Sequence, residues 1–288
     1  MKHIFNLFFS ITFFIAIAQD KPAYIIYNSD GQKANYTQML ETALKNDIVL
    51  FGELHNNTIS HWLQLELTHD IFNSLKSNLV LGAEMFEADN QLIINEYLSK
   101  RINYRNFKAE ARLWNNFETD YKPLLDFALK NNLKFIATNI PRRYASIVNN
   151  EGFEGLSTLS AEAKNWIAPL PVKYDASLPG YQKMLKMGGM QSKETNENFP
   201  KAQAIKDATM AHFIMSNFNK GQIFLHFHGA FHSDFYDGIY WYLKQTKPNI
   251  KIMTISTVEQ NDINTLDNEY IKAADFIICV PEKMTKTY

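Results

Sequence analysis

The chain has 288 residues, room for one large domain or one domain with an inserted lobe. With 46% hydrophobic and 14% aromatic residues it can bury a sizeable core, which excludes disorder at domain scale. Twenty-nine basic residues against thirty acidic ones give a formal net charge of −1, which argues against a general nucleic-acid binder.

The first eighteen residues read as a signal peptide. Lys2 and His3 precede an apolar run from Ile4 to Ala18, and Ala16-Ile17-Ala18 before Gln19 fits the small-x-small cleavage pattern. The mature chain then begins near Gln19, and no later run is long enough to span a membrane. It is expected to be exported and periplasmic, without a lipid-bearing cysteine after the leader. The single cysteine, Cys279, lies in the apolar run Phe276 to Val280 and is expected to be a buried, inert thiol.

Short apolar runs then alternate with helical patterns. Tyr24 to Tyr27 reads as a strand, and Tyr36 to Lys45 as a helix. Asp47 to Phe51 is a buried strand closed by Gly52-Glu53-Leu54-His55. Ile59, Trp62, Leu63, Leu67, Ile71 and Leu75 share one helical face, and a strand from Leu79 to Ala83 ends in Glu84. Helices follow over Asn90 to Leu98 and Tyr121 to Lys130. The strand Lys134 to Ala137 is closed by Thr138-Asn139-Ile140-Pro141-Arg142-Arg143. Residues 150–217 contain no strand-like run but a good helix from Pro200 to Asn217. Strands resume at Gln222, Ile250 and Asp275. The fold class expected is α/β, a mostly parallel sheet flanked by helices. Residues 19–149 and 218–288 would form the core domain, and 150–217 a smaller inserted helical lobe.

The residues with chemistry fall at strand ends. Glu53 and His55 follow one strand, Glu84 another, and Asn139 and Arg142 a third. The run Gln222 to Asp234 carries His226 and His228 on one face, then His232 beyond Gly229. In a parallel sheet these ends share an edge, so distant residues meet in one cleft. Each also has a plain structural reading: Glu53 capping a helix, Glu84 pairing with Arg142, and the histidines satisfying loop carbonyls. His226 is as readily a core histidine as a site member. Carboxylates and imidazoles together suit a divalent metal held by His55, His228 and His232. They also suit metal-free acid–base chemistry by Glu53, His55, Glu84, His228 and His232. Neither HExxH nor GxSxG is present, which argues against zincin and serine-hydrolase mechanisms.

Five motifs in order resemble the ChaN-type haem-binding uptake proteins of the Tiki/TraB and erythromycin-esterase-like superfamily. They are Gly52-Glu53-Leu54-His55-Asn56; Leu81-Gly82-Ala83-Glu84-Met85-Phe86 with Asp89 and Gln91; and Ala137-Thr138-Asn139-Ile140-Pro141-Arg142. Ala202-Gln203 with Asp207-Ala208-Thr209-Met210-Ala211 and His228-Gly229-Ala230-Phe231-His232 complete the set. The resemblance covers Ile48 to Leu243 and matches Glu53, His55, Glu84, Arg142, Asp207, His228 and His232. It implies haem as ligand, held at the lobe and cleft, a homodimer, and an outer-membrane uptake machinery as partner. It also implies a competing role, since Tiki-like relatives are metal-dependent peptidases and the esterase relatives hydrolyse lactones. The absent lipid-bearing cysteine departs from many family members. So does Tyr181 to Met190, which carries methionines where relatives often carry a histidine.

That methionine cluster would offer a soft apolar surface to a flat porphyrin, or would simply pack the lobe. Tyr181 is the first candidate axial ligand of haem iron, and Met187 or Met190 the second. Gln203, Asp207 and Met210 share a helix face, so Asp207 can support a histidine in the cleft.

Overall fold

The computed structural model describes residues 21–191 and 197–288, and of residues 187–191 the backbone alone. The leader expected over residues 1–18 and the side chains of Met187 and Met190 lie outside the described residues. The strands are β1 (Ile25–Asn28), β2 (Lys33–Ala34), β3 (Ile48–Glu53), β4 (Leu79–Glu87), β5 (Phe135–Asn139), β6 (Ile223–Gly229), β7 (Ile252–Gln260) and β8 (Phe276–Pro281). They form one sheet in the order β2-β1-β8-β7-β3-β6-β4-β5. β3 to β8 run parallel, and β1 pairs antiparallel with both β8 and β2. The expected α/β class is the observed one.

Central β3 and β6 are buried at every position, as parallel strands covered on both faces must be. One face carries α1 (Tyr36–Ala43), α2 (Thr58–Leu75), α3 (Gln91–Leu98), α4 (Tyr104–Glu110) and α5 (Lys122–Asn131). Their apolar sides meet Val49, Phe51, Leu81, Leu225 and Phe227. On the other face, α6 (Arg142–Glu151), α9 (Asn198–Asn217) and α10 (Gly238–Thr246) pack on Ile48, Leu50, Val80, Ile136 and Phe224. Between α6 and α9 come α7 (Ala161–Lys164) and α8 (Pro179–Gln191). Among the described residues, no helix is long and apolar enough to cross a membrane.

Several details depart from the sequence expectation. β4 runs on to Glu87, with a register shift between Ala83 and Glu87, so Glu84 sits at an irregularity inside the strand instead of after it. Such an irregularity re-aims a side chain. α4, α6 and α10 occupy stretches where no helix was expected. α2 is turned about its axis relative to its apolar pattern: Trp62 is 47% exposed and rests edge-on against Tyr24, whereas Ser60, His61, Gln64 and Thr68 are buried. Within the 150–217 segment, α9 forms part of the layer that covers the sheet. Cys279 is buried, and burial, with the charges of Asp267 and Asp262, pushes its thiol up to about 12, which fits an inert role.

Candidate functional site

The C-terminal ends of β3, β4, β5 and β6 converge on one sheet edge, where α9 and the π-helical turn Phe117–Tyr121 close over them. Glu53 ends β3 at 1% exposure and accepts three hydrogen bonds. They come from His55 Nδ1 (2.9 Å), the Tyr121 hydroxyl (2.7 Å) and Gln64 Nε2 (2.5 Å). Burial alone would raise this carboxyl, but the bond from His55 and the nearby His61 and His55 charges bring it below the ordinary range. Part of the buried polar face of α2 serves this carboxylate: Gln64 donates to it and His61 stands 3.6 Å away, whereas Ser60 bonds Thr257 and Thr68 the Gln64 carbonyl. His61 and Gln64 belong to the candidate site, and the apolar pattern of α2 concealed them. Their signal was a polar pair three apart, flanking the buried Leu63.

His55 is partly open. Its Nδ1 is fixed on Glu53, its ring lies edge-on against Trp114 at 4.9 Å, and Asn116 donates to its carbonyl at 2.9 Å. Nε2 has no hydrogen-bond partner among the described residues. It lies so near Gly229 that a Cβ there would stand 2.7 Å away. Glycine at 229 is required by this close approach and not by its backbone angles, since φ is −60°.

A second cluster surrounds His232. Its Nε2 donates to Glu84 at 3.1 Å and its Nδ1 to Asp207 at 2.5 Å. Glu84 also accepts the Gly229 amide at 2.8 Å, and Asp207 accepts the Tyr181 hydroxyl at 2.9 Å. Burial would strip the proton from His232; the charges of Glu84 and Asp207 outweigh it and push its pKa up to about 10. His232 thus favours the imidazolium, with each ring nitrogen on a carboxylate.

His226 and His228 lie inward on β6, both 0% exposed. Their Nδ1 atoms are 3.0 Å apart, and their outer nitrogens meet Thr138 Oγ1 at 2.7 Å and Ser233 Oγ at 2.8 Å. Burial, reinforced by the His232 charge, lowers His228 to about 3, so both rings are neutral. The proposed His55, His228 and His232 metal set does not assemble. His228 is sealed beneath the cleft and His232 is fully paired. Among the described residues no group of three His, Cys, Asp or Glu side chains is disposed to hold a metal ion.

The cleft above these clusters holds about 730 Å³ and is lined by His55, Glu84, Met85, Trp114, Arg142 and Lys206, among others. A continuation of about 740 Å³ shares His55, His232 and Tyr288 with it. Arg112 pairs with Glu87 at 2.9 Å and with Asp89, and Arg143 with Asp89 at 2.7 Å. Arg142 and Lys206 have no ion-pair partner among the described residues. Arg142 opens α6, where the positive helix end disfavours a cation by about 0.3–1 kcal/mol. A cation placed there is poised for an anionic ligand group.

Of the candidate haem ligands, Tyr181 is 2% exposed and its hydroxyl is bound to Asp207; burial and that neighbouring charge raise its pKa above the normal tyrosine range. It supports the Asp207–His232 pair and does not face the cleft. Arg142 lines the cleft, and Asp207 lies beneath it. Glu84 pairs with His232 and not with Arg142, and Gln91 bonds the backbone of β5 at Phe135 and Ala137.

The family model described as haem-binding uptake, Tiki superfamily, ChaN matches residues 39–243. The chain belongs to the ChaN family of haem-binding uptake proteins. A solved structure described as cofacial heme binding to ChaN of Campylobacter jejuni superposes with a TM-score of 0.66 at 18% identity, covering 88% of this chain and 96% of that one. A Bacillus cereus protein superposes with a TM-score of 0.51 at 11% identity, over 88% of this chain and 93% of that one. Both likenesses concern the fold. Among curated proteins, RETICULATA-RELATED 5, chloroplastic, of Arabidopsis thaliana is 29% identical over 137 residues, 45% of this chain but only 18% of that protein's length. The ChaN-family assignment accounts for the five motifs, each of which contributes at least one residue to the cleft or its supports.

Proposed function

We propose that this chain is an exported haem-binding protein of iron or haem acquisition, holding haem in the cleft around His55. The observation that carries this is a single juxtaposition. An imidazole fixed through one nitrogen lines a cleft whose rim presents two cations, Arg142 and Lys206, with no ion-pair partner among the described residues. A volume of about 730 Å³ suits a cofactor, since such sites run from roughly 300 to 1,000 Å³. Met85, Leu113, Trp114 and Ile140 supply apolar wall for a flat macrocycle, and the two cations suit its propionates. Haem, when bound, would supply an iron open to ligation by a protein side chain. A homodimer and an outer-membrane uptake machinery are the partners in keeping with this role.

A metal-dependent hydrolase using Glu53, His55, Glu84, His228 and His232 is the less favoured reading. His228 is fully buried and bonded to His226 and Ser233, and both nitrogens of His232 are engaged by carboxylates.

The rim is tested with hemin and its dimethyl ester, which lacks the propionate charges. Arg142→Ala combined with Lys206→Ala is expected to weaken hemin binding about tenfold, as loss of two charge-assisted contacts of modest strength should. The ester should bind wild type and variant alike. Equal binding of hemin to both proteins would remove the rim from the site.

A further inference from the structure

We propose that residues 282–288 form a displaceable strap across the second arm of the cleft, the one bounded by β7 and β8, and that a ligand gains this arm by lifting it. Such a strap acts on any ligand entering from that side, so it stands apart from the haem reading, which supplies only the probe. After β8 ends at Pro281 the chain turns, with the Met284 amide on the Pro281 carbonyl at 2.8 Å, and passes the segment that leads from β3 into α2. Three contacts hold it there: an isolated antiparallel bridge between Asn57 and Lys286, the Thr287 amide donating to the Asn56 carbonyl at 3.0 Å, and Lys286 Nζ on Glu259 at 3.0 Å. Glu53, Asp234, Glu259 and Glu282 line this arm, and Lys286 is the cation that the strap supplies to it. Tyr288 lines both arms, as do only His55 and His232, so it stands where the two arms join. Burial, and after it the charges of Glu53 and Asp120, raises its hydroxyl above the ordinary tyrosine value.

The attachment is weak for physical reasons. None of residues 282–288 is buried, and the Lys286 side chain is 39% exposed, so its ion pair adds little. Docking also leaves Thr287 Oγ1, Glu259 Oε1 and Asn57 Nδ2 buried with no hydrogen-bond partner among the described residues, a cost that release to water removes. β8 is the contrast: Phe276 to Val280 are all buried, and the strand is paired with β7 on one side and β1 on the other. A segment with few buried contacts opens at low free energy, so the boundary between fixed and releasable backbone falls at Pro281. Docked, the strap keeps Tyr288 at the junction; lifted, it leaves the two arms continuous. A ligand that fills both arms selects the lifted state.

The experiment uses residues 19–288 as wild type, Lys286→Glu and Thr287→Pro, with amide hydrogen exchange and stopped-flow association of hemin as readouts. Lys286→Glu sets a like charge against Glu259, and Thr287→Pro removes the amide hydrogen that bonds Asn56. Both changes lie on exposed chain, so thermal stability should stay near that of wild type. In free wild type the Thr287 amide should exchange at least about 100-fold faster than the amides of β8, and saturating hemin should speed it further. Each variant should raise the hemin association rate about fivefold, as loss of one such contact shifts the lifted population by that factor. A Thr287 amide as slow as those of β8, or association rates equal to wild type in both variants, would overturn the strap. If hemin gives no saturable Soret band, the haem reading falls and the exchange comparison alone decides the strap.

Discussion

Asp207→Ala is expected to destabilise the protein by about 3–5 kcal/mol, because it removes one partner of a buried ion pair and leaves the other charged. Asp207 is 1% exposed and accepts from both His232 and Tyr181. Its loss strands the Tyr181 hydroxyl and leaves the imidazolium with Glu84 alone. Urea denaturation at pH 7 measures this directly. The pair also predicts an alkaline limit. The folded pKa of His232, about 10, lies above its unfolded value, so its contribution is complete below about pH 6.5 and is lost as pH rises through about 10. Wild type should lose stability over that interval. Asp207→Asn, whose His232 pKa is pulled up less, should start lower and lose less. An unfolding free energy within about 0.5 kcal/mol of wild type for Asp207→Ala, taking about 1 kcal/mol as the mean for an ordinary substitution, would mean that Asp207 and His232 do not form a buried ion pair.

Glu53→Ala is the second large effect, on the order of 3 kcal/mol. Each buried donor left without an acceptor costs about 1–3 kcal/mol, and three donors point at this carboxylate. Relaxation of the Gln64 and His55 side chains keeps the sum below full additivity. Glu53→Gln preserves shape and acceptor, so it should cost about 1 kcal/mol. The Glu53 carboxyl is held below its ordinary value, so its contribution is present above about pH 4.3 and falls away as pH drops through the folded pKa. Thermal melts of the three proteins at pH 7 and pH 4 separate these outcomes. Equal costs for the alanine and glutamine variants would show that the hydrogen bonds to Glu53 carry little energy.

The meeting of Glu53, His55, Glu84, Asn139 and Arg142 at one edge was legible because parallel strands put their C-terminal ends together, whatever the helices between them do. Asp207 was legible through helix spacing and the family resemblance. His228 was not. Strand alternation correctly puts it on the face of His226, but only the tertiary packing reveals that this face is the covered one beneath α9 and α10. α6 escaped notice because it begins directly after Pro141 with two arginines, a poor local start for a helix, and draws its stability from Ala145 and Val148 on the sheet. The rotation of α2 was hidden for a related reason. Glu53 needs polar neighbours, and a helix that satisfies a buried carboxylate turns His61 and Gln64 inward where apolar periodicity would place Trp62. Local pattern fails at the positions where the site makes demands on the scaffold.

Haem carriage is tested most directly by the stoichiometry of hemin binding to residues 19–288, read from the Soret band against hemin concentration at fixed protein. Haem carriage in this cleft predicts a saturable transition with a defined endpoint, sensitive to Arg142 and Lys206 for hemin and insensitive to them for its dimethyl ester. A linear, unsaturated rise indistinguishable from hemin in buffer would contradict it.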